Sequence, residues 1–324
     1  MSNGDSAKPK LSMNAAASDM MRRYGLILVL LLSVVILSFI SDAFLTVNNL
    51  MNVLRQVSIN GILAVGMTLV ILTAGIDLSI GSLMAVSAVI AASIVAGNPD
   101  AVFLALVAGI AASGVLGGVT GTMSTKLNVA PFIATLAMMT IARGIALIYT
   151  NGRPITIDSS AFRYLGQGYI GPVPVPVVIF ALVTAIVSFI LYKTKFGRYI
   201  YAVGGNENAA NVSGIRVHRV KIWVYIINGA LSGLAGILLA SRISSGQPNS
   251  GLGYELDAIA AVVIGGTSLF GGRGTMLGTI VGVLIIGVIN NGLNLLNVSS
   301  YWQQIIKGLI IAGAVILDQR AKRG

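Results

Sequence analysis

Cysteine is absent from the 324-residue sequence, and His218 is the only histidine. The absence of cysteine excludes disulfide bonds, thiolate metal ligands and cysteine nucleophiles. A single histidine does not support a histidine-based metal site or a Ser-His-Asp triad. We therefore expect no catalytic residue, no metal ion and no cofactor in this chain.

Charged residues are also scarce, at 10% of the sequence, whereas hydrophobic residues make up 56%. A soluble domain carries about 25% charged residues, so this chain has too few to cover a surface in water. Its apolar runs of about 20 residues are typical of membrane-spanning helices. The composition therefore predicts an all-α integral membrane protein.

The formal net charge of +11 points to the membrane surface rather than to nucleic acid. Lys and Arg flank the apolar runs, where they set orientation and meet anionic lipid headgroups. A groove for nucleic acid would also need aromatic side chains interleaved with the basic ones, and the sequence shows no such stretch. We expect membrane lipid as a partner and no nucleic acid.

Ten predicted spans form one transmembrane domain, residues 24–324, behind a polar tail, residues 1–23. With the N-terminus in the cytoplasm, 15 of the 21 Lys and Arg residues fall on the cytoplasmic side, as the positive-inside rule requires. Both termini and the longest cytoplasmic loop, residues 193–221, are then cytoplasmic. The spans are expected at residues 24–41, 56–74, 79–97, 102–123, 131–150, 175–192, 222–242, 254–270, 275–296 and 301–318.

The loop at residues 193–221 carries six Lys or Arg residues and the single histidine. Gly204 and Gly205 are expected to end the preceding helix, and Asn206 is a good N-cap for a short helix that ends at Gly214. Glu207 would lie in its first turn, where a carboxylate suits the helix dipole. Either this helix docks in a groove of a cytoplasmic partner, or the segment is a solvated connector.

Polar side chains inside the apolar runs are candidates for function, because they are costly at membrane depth. Asp77 lies near the predicted cytoplasmic end of a span, and it either serves transport or caps the next helix through the N–H of Ser79 or Ile80. Asn290, Asn294 and Asn297 have the spacing of one helix face. They either contact a sugar-like solute or join neighbouring helices.

Other polar and glycine-rich features have mainly structural interpretations. Glu255 and Asp257 are expected to cap the start of the eighth span, with a gating or docking role as the alternative. Arg143 and Lys307 are expected to snorkel or pair within spans. Glycines with small-xxx-small spacing indicate close helix packing, and they are Gly114, Gly118, Gly121, Gly229, Gly233, Gly278 and Gly282.

The glycine-rich segment GGTSLFGGRGT, residues 265–275, lacks the G-K-[ST] ending of a phosphate-binding loop. It is better interpreted as a tight turn between helices. The chain also has no soluble stretch long enough for another catalytic domain. We therefore expect a protein that has no ATPase site of its own and is not an enzyme by itself.

Several long stretches resemble the permease subunits of bacterial ABC sugar importers, from about Phe44 to Asp318. They are AVGMTLVILTAGIDLSIGSL, FIATLAMMTIARGIALIYTNGRPI, GRYIYAVGGNENAANVSGI, GYELDAIAAVVIGGTSLFGGRGTMLGT and NNGLNLLNVSSYWQ.

The resemblance implies the ten-helix permease fold of this class in the bacterial inner membrane. It implies a homodimer of two permease copies, separate cytoplasmic ATPase subunits and a periplasmic sugar-binding protein. The family's coupling helix would correspond to Asn206, Glu207, Asn208, Ala209, Val212 and Gly214. We take Asp77, Ser79, Asn290 and Asn294 as candidates for the translocation path or gate.

The substrate rests on overall similarity, which favours ribose over other pentoses, galactosides and furanosyl signal molecules. Two other classes remain as alternatives: a secondary transporter driven by an ion gradient, and a membrane scaffold that transports nothing. A secondary transporter usually holds ionisable residues at mid-membrane for coupling.

Overall fold

The computed structural model describes residues 13–323 and confirms an all-α membrane protein with only four short strands in that range. Its helices are α1 (Met13–Ile40), α2 (Val47–Leu72), α3 (Ile80–Gly97), α4 (Val102–Thr125), α5 (Pro131–Thr150), α6 (Ser160–Gln167), α7 (Val175–Lys193), α8 (Lys195–Gly205), α9 (Glu207–Val212), α10 (Val217–Ile243), α11 (Tyr254–Ile264), α12 (Met276–Leu295) and α13 (Ser300–Arg323). The strands are β1 (Ile155–Thr156), β2 (Tyr169–Ile170), β3 (Val173–Pro174) and β4 (Ser245–Gly246).

Every predicted span contains a helix, and seven of the described helices are long and apolar enough to cross a membrane. The exception in length is α11, which was expected to reach residue 270 and ends at Ile264. Its 11 residues rise only about 16 Å, roughly half the thickness of a hydrocarbon core. The helix stops because Gly265 and Gly266 follow it, and Gly266 has a φ of +84°.

The N-terminal tail and the loop 193–221 differ from their predicted form. The predicted tail, residues 1–23, lies outside the described residues as far as residue 12, and from Met13 onward it belongs to α1. The connection 151–174 contains the short helix α6 and the β2–β3 hairpin. The loop 193–221 contains two helices, because α8 precedes the predicted short helix, which is α9.

Helix α10 lies at the centre of the bundle and packs against α4, α3 and α2. Glycines allow this close approach, as their spacing predicted. A Cβ atom at Gly229 would lie 2.5 Å from the Ser113 carbonyl oxygen of α4, and one at Gly233 would lie 3.0 Å from the Ser113 side chain. In the same way, Gly278 and Gly282 of α12 contact the backbone of α11 and of the glycines after it.

The bundle has two ends that differ in structure. We call one the polar-loop end, and it holds α8, α9, the first residues after α2 and the connection 265–275. At the opposite end β1 pairs with β4 in an antiparallel ribbon. There the Arg55 guanidinium stacks on the Tyr169 ring, with its central carbon 4.6 Å from the ring centroid.

The α4–α10 contact predicts that Gly229→Ala destabilises the protein. The added methyl group would overlap the Ser113 carbonyl oxygen, and overpacking of this kind costs about 1–3 kcal/mol. We expect a lower melting temperature in detergent, measured by the loss of the monodisperse peak after heating. Gly144→Ala is the control, because a Cβ there meets no atom within 4 Å. Equal melting temperatures for the two variants would contradict the packing argument.

Candidate functional site

The predicted capped helix is present at α9. The Asn206 side-chain oxygen accepts a hydrogen bond from the Ala209 N–H at 2.9 Å, as an N-cap should. Gly214 follows the helix with a φ of +83°, and the N–H of Ile215 donates to the Ala210 carbonyl. These bonds hold a rigid turn at the surface, where the Val212 side chain is 90% exposed.

A polar groove of about 450 Å³ runs beside α9. The ammonium of Lys221 lies 2.6 Å from the Glu207 carboxylate, and the Glu207 side chain is 56% exposed. An exposed pair of this kind contributes only about 0–1 kcal/mol to folding. Glu207 therefore remains available to a partner surface. Polar residues from three elements line the groove, among them Thr125, Asn128, Asn208, Asn211 and His218.

Helix α8 connects this surface to the interior of the bundle. Gly204 packs directly on the carbonyl of Leu72 at the end of α2, and the same carbonyl accepts from the Gly272 N–H at 3.0 Å. The Tyr201 hydroxyl donates to the Gly274 carbonyl at 2.9 Å. Burial raises the pKa of Tyr201 to about 12, so the hydroxyl stays protonated and remains a donor at neutral pH.

Asp77 is fully buried in the extended segment between α2 and α3. Its carboxylate accepts from the N–H of Ser79 at 2.9 Å and from the Ser79 hydroxyl at 2.6 Å. A third bond comes from the side-chain amide of Asn228 on α10 at 2.8 Å. The expected bond from the Ser79 N–H is thus present, but it does not cap α3, because Ser79 is itself the N-cap residue and the helix begins at Ile80.

The position of Asp77 differs from the prediction, which put it near the cytoplasmic end of a span. Asn228, its partner, lies about 16 Å along α10 from Val217 and about 22 Å from Ile243, at 1.5 Å per residue. Asp77 is therefore level with the middle of α10. The reason is that the chain rises through seven non-helical residues, 73–79, before α3 begins.

The predicted asparagine face is only partly present. Asn290 is buried and its amide lies 3.4 Å from the Asp257 carboxylate of α11. Asn294 is exposed and accepts from the Gln303 amide at 2.9 Å. Asn297 lies beyond the end of α12 at Leu295, so it does not share a helix face with the other two.

Several functional candidates were missed by the sequence argument because they depend on pairings across the fold. The neighbouring Asn291 exchanges two hydrogen bonds with Asn49 of α2. Asn228 was overlooked because one amide in a long apolar run is a weak signal. The guanidinium of Arg143, which was expected to snorkel or pair, donates to the carbonyls of Pro248 and Ser250 in the loop before α11.

The buried bond between Asn228 and Asp77 predicts that Asn228→Ala lowers stability. Loss of the amide leaves a buried carboxylate with one donor fewer, which costs about 1–3 kcal/mol. The melting temperature in detergent should fall. Ser232→Ala, one turn further along α10, is the matched control, because its hydroxyl bonds only the Asn228 backbone carbonyl. A drop as large for Ser232→Ala would argue against a special role for the Asp77 contact.

Known proteins are similar in sequence to this chain over almost its whole length. The ribose import permease protein RbsC of Bacillus subtilis is 51% identical over 302 residues, which are 93% of this chain and 94% of the relative. The Escherichia coli K12 ribose import permease protein is 50% identical over 298 residues, 91% of this chain and 92% of the relative. The D-allose transport system permease protein of the same organism is 38% identical over 299 residues, which are 92% of this chain and 91% of the relative.

No solved structure matches the chain. Residues 49–315 match the family described as "Branched-chain amino acid transport system / permease component". That description names amino acids, whereas the relatives above are named for sugars. The match covers far more than half of the chain and reaches from the first turn of α2 into α13. The protein is therefore a member of this family of membrane transport permeases.

Proposed function

We propose that this chain is the translocating subunit of an ATP-driven importer, with ribose as its substrate. The observation that carries the proposal is the identity of 50–51% to ribose import permeases of different bacteria over at least 91% of the chain. The relatives named for other sugars are less similar, for example the D-allose permease protein at 38%. Identity thus favours ribose over a related sugar.

The partners follow from the same proposal. Separate ATPase subunits supply the energy, because the chain has no phosphate-binding loop of its own. A periplasmic sugar-binding protein delivers the substrate at the end that carries the β1–β4 ribbon. Two permease copies form the path, and both termini face the cytoplasm, as the distribution of Lys and Arg supports.

The polar-loop end provides the surface for the ATPase. Asn206, Glu207, Asn208, Ala209, Val212 and Gly214 form or flank the short helix α9. The exposed Val212 side chain and the Glu207 carboxylate are the groups that a cytoplasmic partner would contact first. Closure of the ATPases would displace α9 and α8, and the contacts of α8 with Leu72 and Gly274 would carry that displacement into the bundle.

The remaining candidates take different parts in translocation. Asp77 and Ser79 are buried and hydrogen-bonded, so we assign them to the gate, where they hold the extended segment in one arrangement. Asn294 is exposed and can contact a solute. Asn290 lies behind the surface and bonds Asp257.

The experiment that tests the function is uptake of radiolabelled ribose into vesicles containing the permease with its ATPase and binding protein. We expect uptake that requires ATP and stops when either partner is left out. The permease alone with an imposed ion gradient should show none. Gradient-driven uptake without ATP would contradict the proposal and favour a secondary transporter. A complete system that moves no solute would favour a scaffold.

The ATPase surface gives a further prediction. Glu207→Lys should insert and fold normally but lose most of its stimulated ATPase activity and uptake, by about tenfold or more, because it reverses the charge that faces the partner. A tenfold loss of affinity for the ATPase corresponds to about 1.4 kcal/mol of binding free energy.

The matched control is the charge exchange Glu207→Lys with Lys221→Glu. It restores an ion pair across the 2.6 Å contact but keeps the reversed charge on α9. If docking matters, the double variant stays uncoupled. Recovery of uptake in the double variant would show that the pair itself, and not the partner surface, is what Glu207 serves.

A further inference from the structure

A cavity of about 520 Å³ with a mixed polar and apolar lining lies between the first turn of α11 and the first two turns of α13. We call it the α11–α13 pocket. Its polar wall consists of Glu255, Ser300, Gln303, Gln304 and Lys307, and Leu252 and Leu256 form its apolar edge. These residues come from the start of α13, from the first turn of α11 and from the loop that leads into it, so the pocket lies away from the polar-loop end.

The Lys307 ammonium in this wall is paired with a carboxylate that lies deeper in the protein. The Nζ atom of Lys307 lies 2.8 Å and 2.9 Å from the two carboxylate oxygens of Asp257. Asp257 is only 6% exposed, and its carboxylate also meets the Asn290 amide at 3.4 Å. A buried carboxylate paired with a cation at a cavity wall costs free energy in a membrane protein. Ionisable pairs are found inside membrane proteins mainly at functional sites.

The loop before α11 fixes the opposite part of the wall. The Glu255 carboxylate accepts from the Gly253 N–H at 3.2 Å, and it packs against Gly81 at the start of α3. Arg143 binds two carbonyls of the same loop and interacts electrostatically with Glu255. Each negative group of the region therefore has a positive neighbour, and the two acids and two bases sum to no net charge.

This arrangement suits an uncharged solute that is rich in hydroxyl groups. Each sugar hydroxyl both donates and accepts hydrogen bonds. The Lys307 ammonium donates and the Glu255 carboxylate accepts. The Gln304 amide can do both, whereas Gln303 offers only its amide oxygen, because its N–H groups already bond Asn294 and the Val298 carbonyl. Leu252 and Leu256 offer apolar contact to the C–H groups of a sugar ring. A site for an ion would instead show an excess of one charge sign.

We propose that the α11–α13 pocket is a sugar subsite on the translocation path, in which Glu255, Gln304 and Lys307 bind the hydroxyl groups of a monosaccharide. The inference rests on the proposed transport function and adds the residues that contact the substrate. Asn290 then acts from behind the wall, through Asp257 and Lys307, and does not touch the sugar itself.

The absence of native cysteine permits a direct test in the assembled transporter. Gln304→Cys is introduced alone, and the complex with its ATPase and binding protein is placed in lipid nanodiscs. The rate of modification by a charged, water-soluble thiol reagent is measured with and without D-ribose. We expect modification of Cys at this position, and at least a threefold slower rate, on the order of 0.65 kcal/mol, when ribose is present.

Asp158→Cys is the matched control, since Asp158 is exposed just after β1, at the end of the bundle that faces away from the polar-loop end, and lies outside the pocket. Its modification should be unaffected by ribose. The proposal is overturned if Gln304→Cys does not react, or if ribose changes both rates equally. If Gln304→Cys fails to assemble, Ser300→Cys serves in its place with the same expected protection.

Ribose uptake by the wild-type complex, measured beside the labelling, separates the two claims. Uptake without protection at Gln304 or Ser300 refutes the subsite and leaves the transport function standing. No uptake by the complete wild-type system refutes the transport function itself.

Discussion

The three hydrogen bonds to the Asp77 carboxylate are the constraint on which the bundle depends. They fix a non-helical segment in the interior, where an unsatisfied backbone or side-chain group would cost several kcal/mol. Ser79 supplies two of the bonds locally, and Asn228 supplies the third from the central helix α10. Because α10 also packs against α4 and α3 through glycines, the position of this one carboxylate links the break in the α2–α3 region to the rest of the core.

Two of the non-helical segments, residues 73–79 and the loop before α11, are held in place by different kinds of contact. The segment 73–79 is held by uncharged donors around one acid, and it is closed to solvent at Asp77 and Ser79. The loop before α11 is held by Arg143, and the first turn of α11 by Lys307. The first break is therefore built to be rigid, whereas the second opens onto a cavity whose polar groups remain reachable.

The sequence predicted the order of the long apolar helices because long apolar runs are a strong signal, but it did not predict the short helices α6 and α8. It also predicted the cap at Asn206 and the bond from Ser79 to Asp77, since both involve residues two or three apart. It missed the depth of Asp77, the early end of α11 and the identity of Asp257 as the partner of Lys307. Those features depend on which helices meet across the bundle, and residue spacing within one segment carries no information about that.

The contact between Gly204 and the Leu72 carbonyl has a mechanical consequence. Backbone meets backbone there, so no side chain lies between α8 and the end of α2 to absorb a movement by changing rotamer. A displacement of α9 at the surface therefore reaches the interior with little side-chain rearrangement along the way. Because Gly204 has no side chain, a movement of α8 is passed to the end of α2 directly through backbone contact.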